Sequence, residues 1–195
     1  ITSMLFSVEN LGEYYPKDEN VEILKRQLIR LNSLSDILLK LSSLDANKGL
    51  MKKEEVSLYE LVTYALDSLD LKRSTNVEIS KILKENIICG DFYWIAEAII
   101  NILKNANNRP LCDKISIQSH KNPLYTTLAI EDNGGGIEKE NIKKIFKRFY
   151  KTPDSSGFGI GLAMAKTIVE KNNGEISVTN TSQGARFEIK FYNVT

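Results

Sequence analysis

At 195 residues, 42% of them hydrophobic and 26% charged, the chain is long enough for one good core with a smaller appended unit, and too apolar to be disordered. Its 26 basic and 25 acidic residues nearly cancel, which excludes the large cationic face that drives nucleic-acid binding. No apolar run approaches the roughly 20 residues that span a bilayer, and the start lacks the basic-then-apolar layout of a signal peptide.

The chain opens without an initiator Met on a segment that already reads as helix, so it is expected to be a piece of a longer protein. Residues 1 to about 15 and about 19 to 45 read as two helices joined by Pro16-Lys17-Asp18, a helical hairpin. In the second, Val21, Leu24, Leu28, Leu31, Leu38 and Leu41 recur at helical spacing, and Leu34 and Ile37 widen the stripe. A stripe that wide suits a four-helix bundle, which one hairpin completes only as a homodimer. Around Asn47-Lys48-Gly49 the heptad pattern stops, dividing the chain into 1–48 and 49–195.

Beyond that boundary, 56–70 and 92–106 read as helices, and 77–82, 114–119, 124–131, 175–180 and 185–192 as strands. A last helix spans about 160 to 172 and ends before Gly174. Strands in neighbouring pairs with short links predict an antiparallel or mixed sheet covered by helices on one face, an α+β sandwich. Cys89 and Cys112 have neither metal-ligand spacing nor disulfide density and read as buried or half-buried thiols of a reducing compartment. The only histidine, His120, reads as a solvated residue at a strand end, so no zinc site is expected.

Three segments carry chemistry. The first is Glu-Asp-Asn-Gly-Gly-Gly-Ile, 131–137. Leu124, Leu128, Ile130 and Asp132 share one parity, so strand alternation carries the Asp132 carboxylate onto the apolar face, where it needs a partner. The glycines after it permit positive φ and close backbone approach to a flat ligand, which suits the amino edge of a purine. Asp-Asn-Gly is equally the chemistry of a hairpin turn.

The second is the helix over 92–106. Phe92, Ile95, Ala96, Ile99, Ile102, Leu103 and Ala106 form its core stripe, while Glu97, Asn101 and Asn105 lie one turn apart on another face. An asparagine carbonyl is a hard neutral oxygen of the kind magnesium accepts beside phosphate and water; a plain solvated face is the other reading. The third is Gly157-Phe-Gly-Ile-Gly161-Leu, a glycine-rich approach to a helix start whose free N–H groups suit phosphate oxygens. It is neither a Walker loop nor a Rossmann fingerprint. Before it, Lys151 to Ser156 reads as a short mobile lid, and Phe146-Lys-Arg-Phe-Tyr150 offers two aromatic anchors and two cations, or simply core aromatics flanked by surface charge.

Taken in order, NILKNA at 101–106, DNGGGI at 132–137, FKRFY at 146–150 and GFGIGL at 157–162 resemble the N, G1, F and G2 boxes of sensor histidine kinases. The resemblance implies a partial dimerisation and phosphotransfer hairpin over 1–48, then a catalytic domain of the Bergerat ATP-binding fold shared with gyrase-type ATPases. It implies an ATP and Mg2+ site built from Asn101, Asn105, Asn108, Arg109, Asp132, Gly134, Gly136, Ile137, Arg148, Tyr150, Gly157, Gly159, Gly161 and Leu162. Asp132 would accept from the adenine amino group, and Asn105, with Asn101 beside it, would hold the metal. The glycines would shape the pocket, and Arg148 and Tyr150 would close it on the phosphates.

Two departures stand out. Many family members place a lysine two residues beyond the alanine of the N box, where this chain has Asn108 followed by Arg109, so that cation falls to Arg109 or is lost. The phosphoacceptor histidine box is also missing, and Ile1-Thr2-Ser3 resembles the sequence just after it; the chain should bind ATP without phosphorylating itself. The implied reaction carries phosphoryl from ATP to a histidine and then to an aspartate on a response-regulator receiver domain docked on the hairpin. The setting would be the cytoplasmic portion of a kinase anchored to a membrane only through an upstream region. The rivals are a gyrase-type ATP hydrolase or chaperone-like machine and a nucleotide-free interaction module. Against the hydrolase, an amide at Asn101 is a poor base.

Overall fold

A computed structural model describes residues 2–46, 51–71, 75–152, 155 and 157–193. Asn47-Lys48-Gly49, the expected boundary, lies outside these residues, as do positions 1, 153, 154 and 156, the last three from the expected lid. The chain divides into two compact units, Ile1–Gly49 and Leu50–Thr195.

The first unit is the hairpin: helix α1, Thr2–Tyr14, and helix α2, Glu19–Asp45. Asp18 caps α2, its Oδ1 accepting from Asn20 N–H at 2.8 Å, which satisfies a donor that a helix start leaves unpaired. Many large apolar side chains of the pair are exposed, among them Phe6, Leu24, Leu31, Leu38 and Leu39. Two helices have too little surface between them to cover so wide a stripe.

The second unit is the expected α+β sandwich. Strands β1 (Glu54–Ser57), β2 (Asn76–Ile79), β3 (Ile87–Gly90), β4 (Lys114–Lys121), β5 (Tyr125–Asp132), β6 (Gly174–Asn180) and β7 (Ala185–Tyr192) alternate with helices α3 (Leu58–Asp67), α4 (Phe92–Asn107), α5 (Lys139–Ile142) and α6 (Gly161–Lys171). Five strands form a mixed sheet in the order β2-β4-β5-β7-β6, in which only β2 and β4 run parallel. The core lies between this sheet and α3, α4 and α6, with Leu61, Ile95, Ile99, Ile102, Ile117, Leu128 and Phe187 buried. Each such side chain stabilises the fold by about 1.5–3 kcal/mol relative to exposure.

Several expectations change. The helix expected from residue 56 begins at Leu58, because Glu54–Ser57 pairs with Ile87–Gly90 as a separate two-stranded sheet and Ser57 caps α3 through its hydroxyl. The strand expected over 77–82 stops at Ile79, followed by a 3-10 turn, Lys81–Glu85. Leu124 lies in the turn before β5 and is 72% exposed, so of the expected set Leu128 and Ile130 share the buried face with Asp132, joined there by Thr126. Cys112 is buried, but Cys89 is exposed because β3 lies in the small outer sheet. Ala98 and Ile100 join the buried face of α4, widened because α3 and α6 both pack against that helix. His120 is exposed at the end of β4, as expected.

Candidate nucleotide site

Strand β5 delivers Asp132 to the interior, where the residue is 2% exposed. Its Oδ1 accepts from Gly134 N–H at 2.8 Å and lies 3.8 Å from Arg109 Nη1. Its Oδ2 is buried and has no hydrogen-bond partner among the described residues. A buried polar atom is normally paired, and leaving one unpaired costs about 1–3 kcal/mol, more when it is charged. The carboxylate therefore retains acceptor capacity that no described residue meets.

The segment after Asp132 is not a hairpin turn, since it leads into α5 and not into a strand paired with β5. Gly135 and Gly136 take φ of 90° and 77°, conformations that side-chain-bearing residues rarely adopt. Asn133 fastens one flank, its Oδ1 accepting from the N–H groups of Asp113 and Lys114, both at 3.1 Å. Two residues that sequence reasoning missed fasten the other. Asn180 Oδ1 accepts from Ile137 N–H at 2.8 Å while its Nδ2 donates to the Ile137 carbonyl at 2.6 Å. Gly184 abuts the Asp132 backbone so closely that a Cβ there would overlap the Asp132 carbonyl. The end of β6 and the β6–β7 turn thus cradle a loop some forty to fifty residues earlier in the chain.

Helix α4 forms the floor. Asn101 Nδ2 donates to the Glu97 carbonyl at 2.8 Å, and a Cβ on Gly161 would stand 2.7 Å from Asn101 Oδ1, so α6 begins against this amide. The half-buried Asn105 amide makes no hydrogen bond to any described residue. Asn108 is the exposed C-cap. Arg109 turns back onto the glycine loop, donating from Nη1 to the Gly136 carbonyl and, at 3.4 Å, to that of Gly134.

The remaining expected residues separate. Tyr150 donates its hydroxyl to Asn141 Oδ1 of α5 at 2.5 Å, and so is tethered to the glycine-loop side. Of the expected aromatic anchors, Phe146 packs edge-on against Phe187 at 6.4 Å, but Phe149 is 65% exposed at φ 64°. Arg148 lies on the exposed stretch between them. Gly159, at φ 72°, tucks under Tyr150, where a Cβ would stand 2.5 Å from the Tyr150 carbonyl oxygen; a Cβ on Gly157 would meet nothing within 4 Å. No side chain caps α6, leaving the N–H groups at its start, with half-buried Leu162 among those residues, to a ligand or water. Asp132, the glycine loop and Arg109 thus meet at one end of β5, while the Asn101 amide meets the start of α6.

Residues 90–194 match the model of the histidine kinase-, DNA gyrase B- and HSP90-like ATPase family. The chain belongs to that family. This stretch is its ATP-binding domain, in the form of the C-terminal catalytic region of histidine kinases. Similar curated proteins are sensor protein RprX of Bacteroides fragilis (strain YCH46), 31% identical over 82% of this chain and 33% of the relative, and sensor protein kinase WalK of Staphylococcus aureus, 30% identical over 90% and 46%. The chain thus spans less than half the length of these relatives. Among solved structures, Acinetobacter baumannii histidine kinase AdeS aligns over 98% of this chain and 94% of its own, with a TM-score of 0.68 at 23% identity. Full-length ShkA in complex with AMPPNP aligns over 91% of this chain and 39% of its own, at TM-score 0.73 and 19% identity. These two likenesses concern the fold.

Proposed function

We propose that this chain holds Mg-ATP for phosphoryl transfer to a histidine, with a response-regulator aspartate as final acceptor. The single observation that carries the reading is the buried Asp132 carboxylate, one oxygen held by its own loop and the other unpartnered. A purine amino group is a donor of the right kind, and the glycine wall beside it has no Cβ to keep a flat ring away. Asn105, whose amide is uncommitted, offers the oxygen for magnesium, with Asn101 next to it. Bound magnesium supplies charge neutralisation on the phosphates; the chain's own part is to orient them through the α6 start and to keep the purine end fixed.

The relatives' sensor-kinase names support the assignment of α1 and α2 to a dimerising phosphotransfer hairpin, whose exposed apolar side chains fit a bundle of two copies. No described helix is long and apolar enough to cross a membrane; a membrane link, and a cytoplasmic setting for this region, belong to the same proposal. Neither α1 nor α2 carries a histidine, so the acceptor must be supplied.

The test is to titrate the 195-residue chain calorimetrically with ATP and magnesium, then add a hairpin bearing an acceptor histidine and follow radiolabel from ATP. Saturable binding followed by acid-labile, base-stable phosphate on the hairpin is expected. No binding would sink the nucleotide reading, and steady ATP turnover at several per second without labelled hairpin would turn the assignment to a hydrolase.

A further inference from the structure

Arg109 turns onto the glycine loop that follows Asp132. Its side chain is 17% exposed, and its guanidinium donates to the carbonyls of Gly134 and Gly136 while standing 3.8 Å from Asp132 Oδ1. Its stem fills the space a side chain at position 134 would need, since a Cβ there would lie 2.7 Å from Arg109 Cδ and 2.8 Å from Arg109 Cβ. Pro110, next in the chain, restricts the Arg109 backbone, and Cys112 N–H donates to the Arg109 carbonyl at 3.2 Å. The arginine is thus held at its base with its guanidinium against the glycine loop.

The consequence falls on the two carboxylate oxygens. The Gly134 N–H and the guanidinium both favour Oδ1, which turns that oxygen toward the loop and leaves Oδ2 as the acceptor without a protein partner. A carboxylate free to rotate would offer either oxygen, and a loop free to shift would let its own N–H groups compete for both. We propose that Arg109 is a positioning residue that makes the site selective for a purine carrying an amino group over one carrying a carbonyl at the same ring position. This rests on the nucleotide reading given above and assigns Arg109 a part in base selection. A planar fork reaching two carbonyls and a carboxylate is geometry that lysine's single ammonium on a flexible stem does not reproduce.

The probes are Mg-ATP and Mg-ITP, which differ by amino against carbonyl at that position, titrated by calorimetry into the 195-residue chain and into Arg109→Ala and Arg109→Lys. The wild-type chain should prefer ATP, and the ratio of the two affinities should fall at least about tenfold in Arg109→Ala, a change worth one hydrogen bond to a charged group. Arg109→Lys, which keeps the charge and most of the packed stem, should lie between and covers the case of an alanine variant that does not fold. An unchanged ratio in a folded variant, with both affinities falling together, would overturn the positioning role and leave the nucleotide reading intact. A wild-type chain that binds neither nucleotide would overturn both.

Discussion

The two ends of the antiparallel α4–α6 pair are built from similar residues and treat them in opposite ways. At one end Asp91, before α4, and Asn172, after α6, are buried, and all four of their side-chain polar atoms are engaged. Asp91 Oδ1 accepts from Trp94 N–H at 3.2 Å and Oδ2 from Lys52 N–H at 2.9 Å; Asn172 Oδ1 accepts from Asp91 N–H at 2.9 Å and Nδ2 donates to the Ile168 carbonyl at 2.9 Å. At the other end Asp132 keeps an unpaired oxygen, the Asn105 amide is unengaged and α6 starts uncapped. A closed polar network fixes a fold, and buried polar groups left without a partner are uncommon. The difference is what the proposed nucleotide site would require of its carboxylate and amide, without reference to any relative.

The sharpest way to break that comparison is at the closed end. Asn172→Ala strands the buried Asp91 N–H and opens a gap beside Gly90, and should cost about 2–4 kcal/mol of stability, measured by urea unfolding followed through Trp94 fluorescence. Nucleotide affinity of the folded protein should stay within about twofold. A loss under about 1 kcal/mol would mean that the closed network is not what holds this end together. At the open end, Asp132→Ala should lower Mg-ATP affinity roughly 10- to 100-fold, about 1.5–3 kcal/mol. Stability should fall by less than in Asn172→Ala, because the Gly134 and Gly136 carbonyls still accept from Arg109 and an unpaired buried oxygen is removed. Destabilisation equal to that of Asn172→Ala would erase the distinction between the two ends.

Which end was legible in the sequence follows from how local each signal is. The glycine loop, the inward Asp132 and the α4 amides announce themselves within a few residues, because positive φ, strand parity and helical spacing are local properties. The Asn180 and Gly184 cradle, the Asn172–Asp91 bond and the β1–β3 sheet each join segments more than thirty residues apart, and no short pattern records such a pairing. Phe149 misled for a related reason. An aromatic beside Phe146 reads as core, but its left-handed backbone and 65% exposure place it outside, while Phe146 alone reaches Phe187. Arg109 could be read only as a cation, since its target is a fold-dependent pair of carbonyls.

Asn105 gives the smallest effect and the most specific one. Its amide makes no hydrogen bond to any described residue, so Asn105→Ala removes no such bond, and alanine is the better helix former by about 0.6 kcal/mol. Stability should therefore rise slightly, against the usual direction for a half-buried substitution. Affinity for Mg-ATP should fall about fivefold, close to 1 kcal/mol for one neutral oxygen ligand, while affinity for ATP in excess chelator stays unchanged. Equal losses with and without magnesium would make Asn105 a contact to the nucleotide itself. A loss of stability would make it a structural amide like Asn172, and the contrast between the two ends would then rest on Asp132 alone.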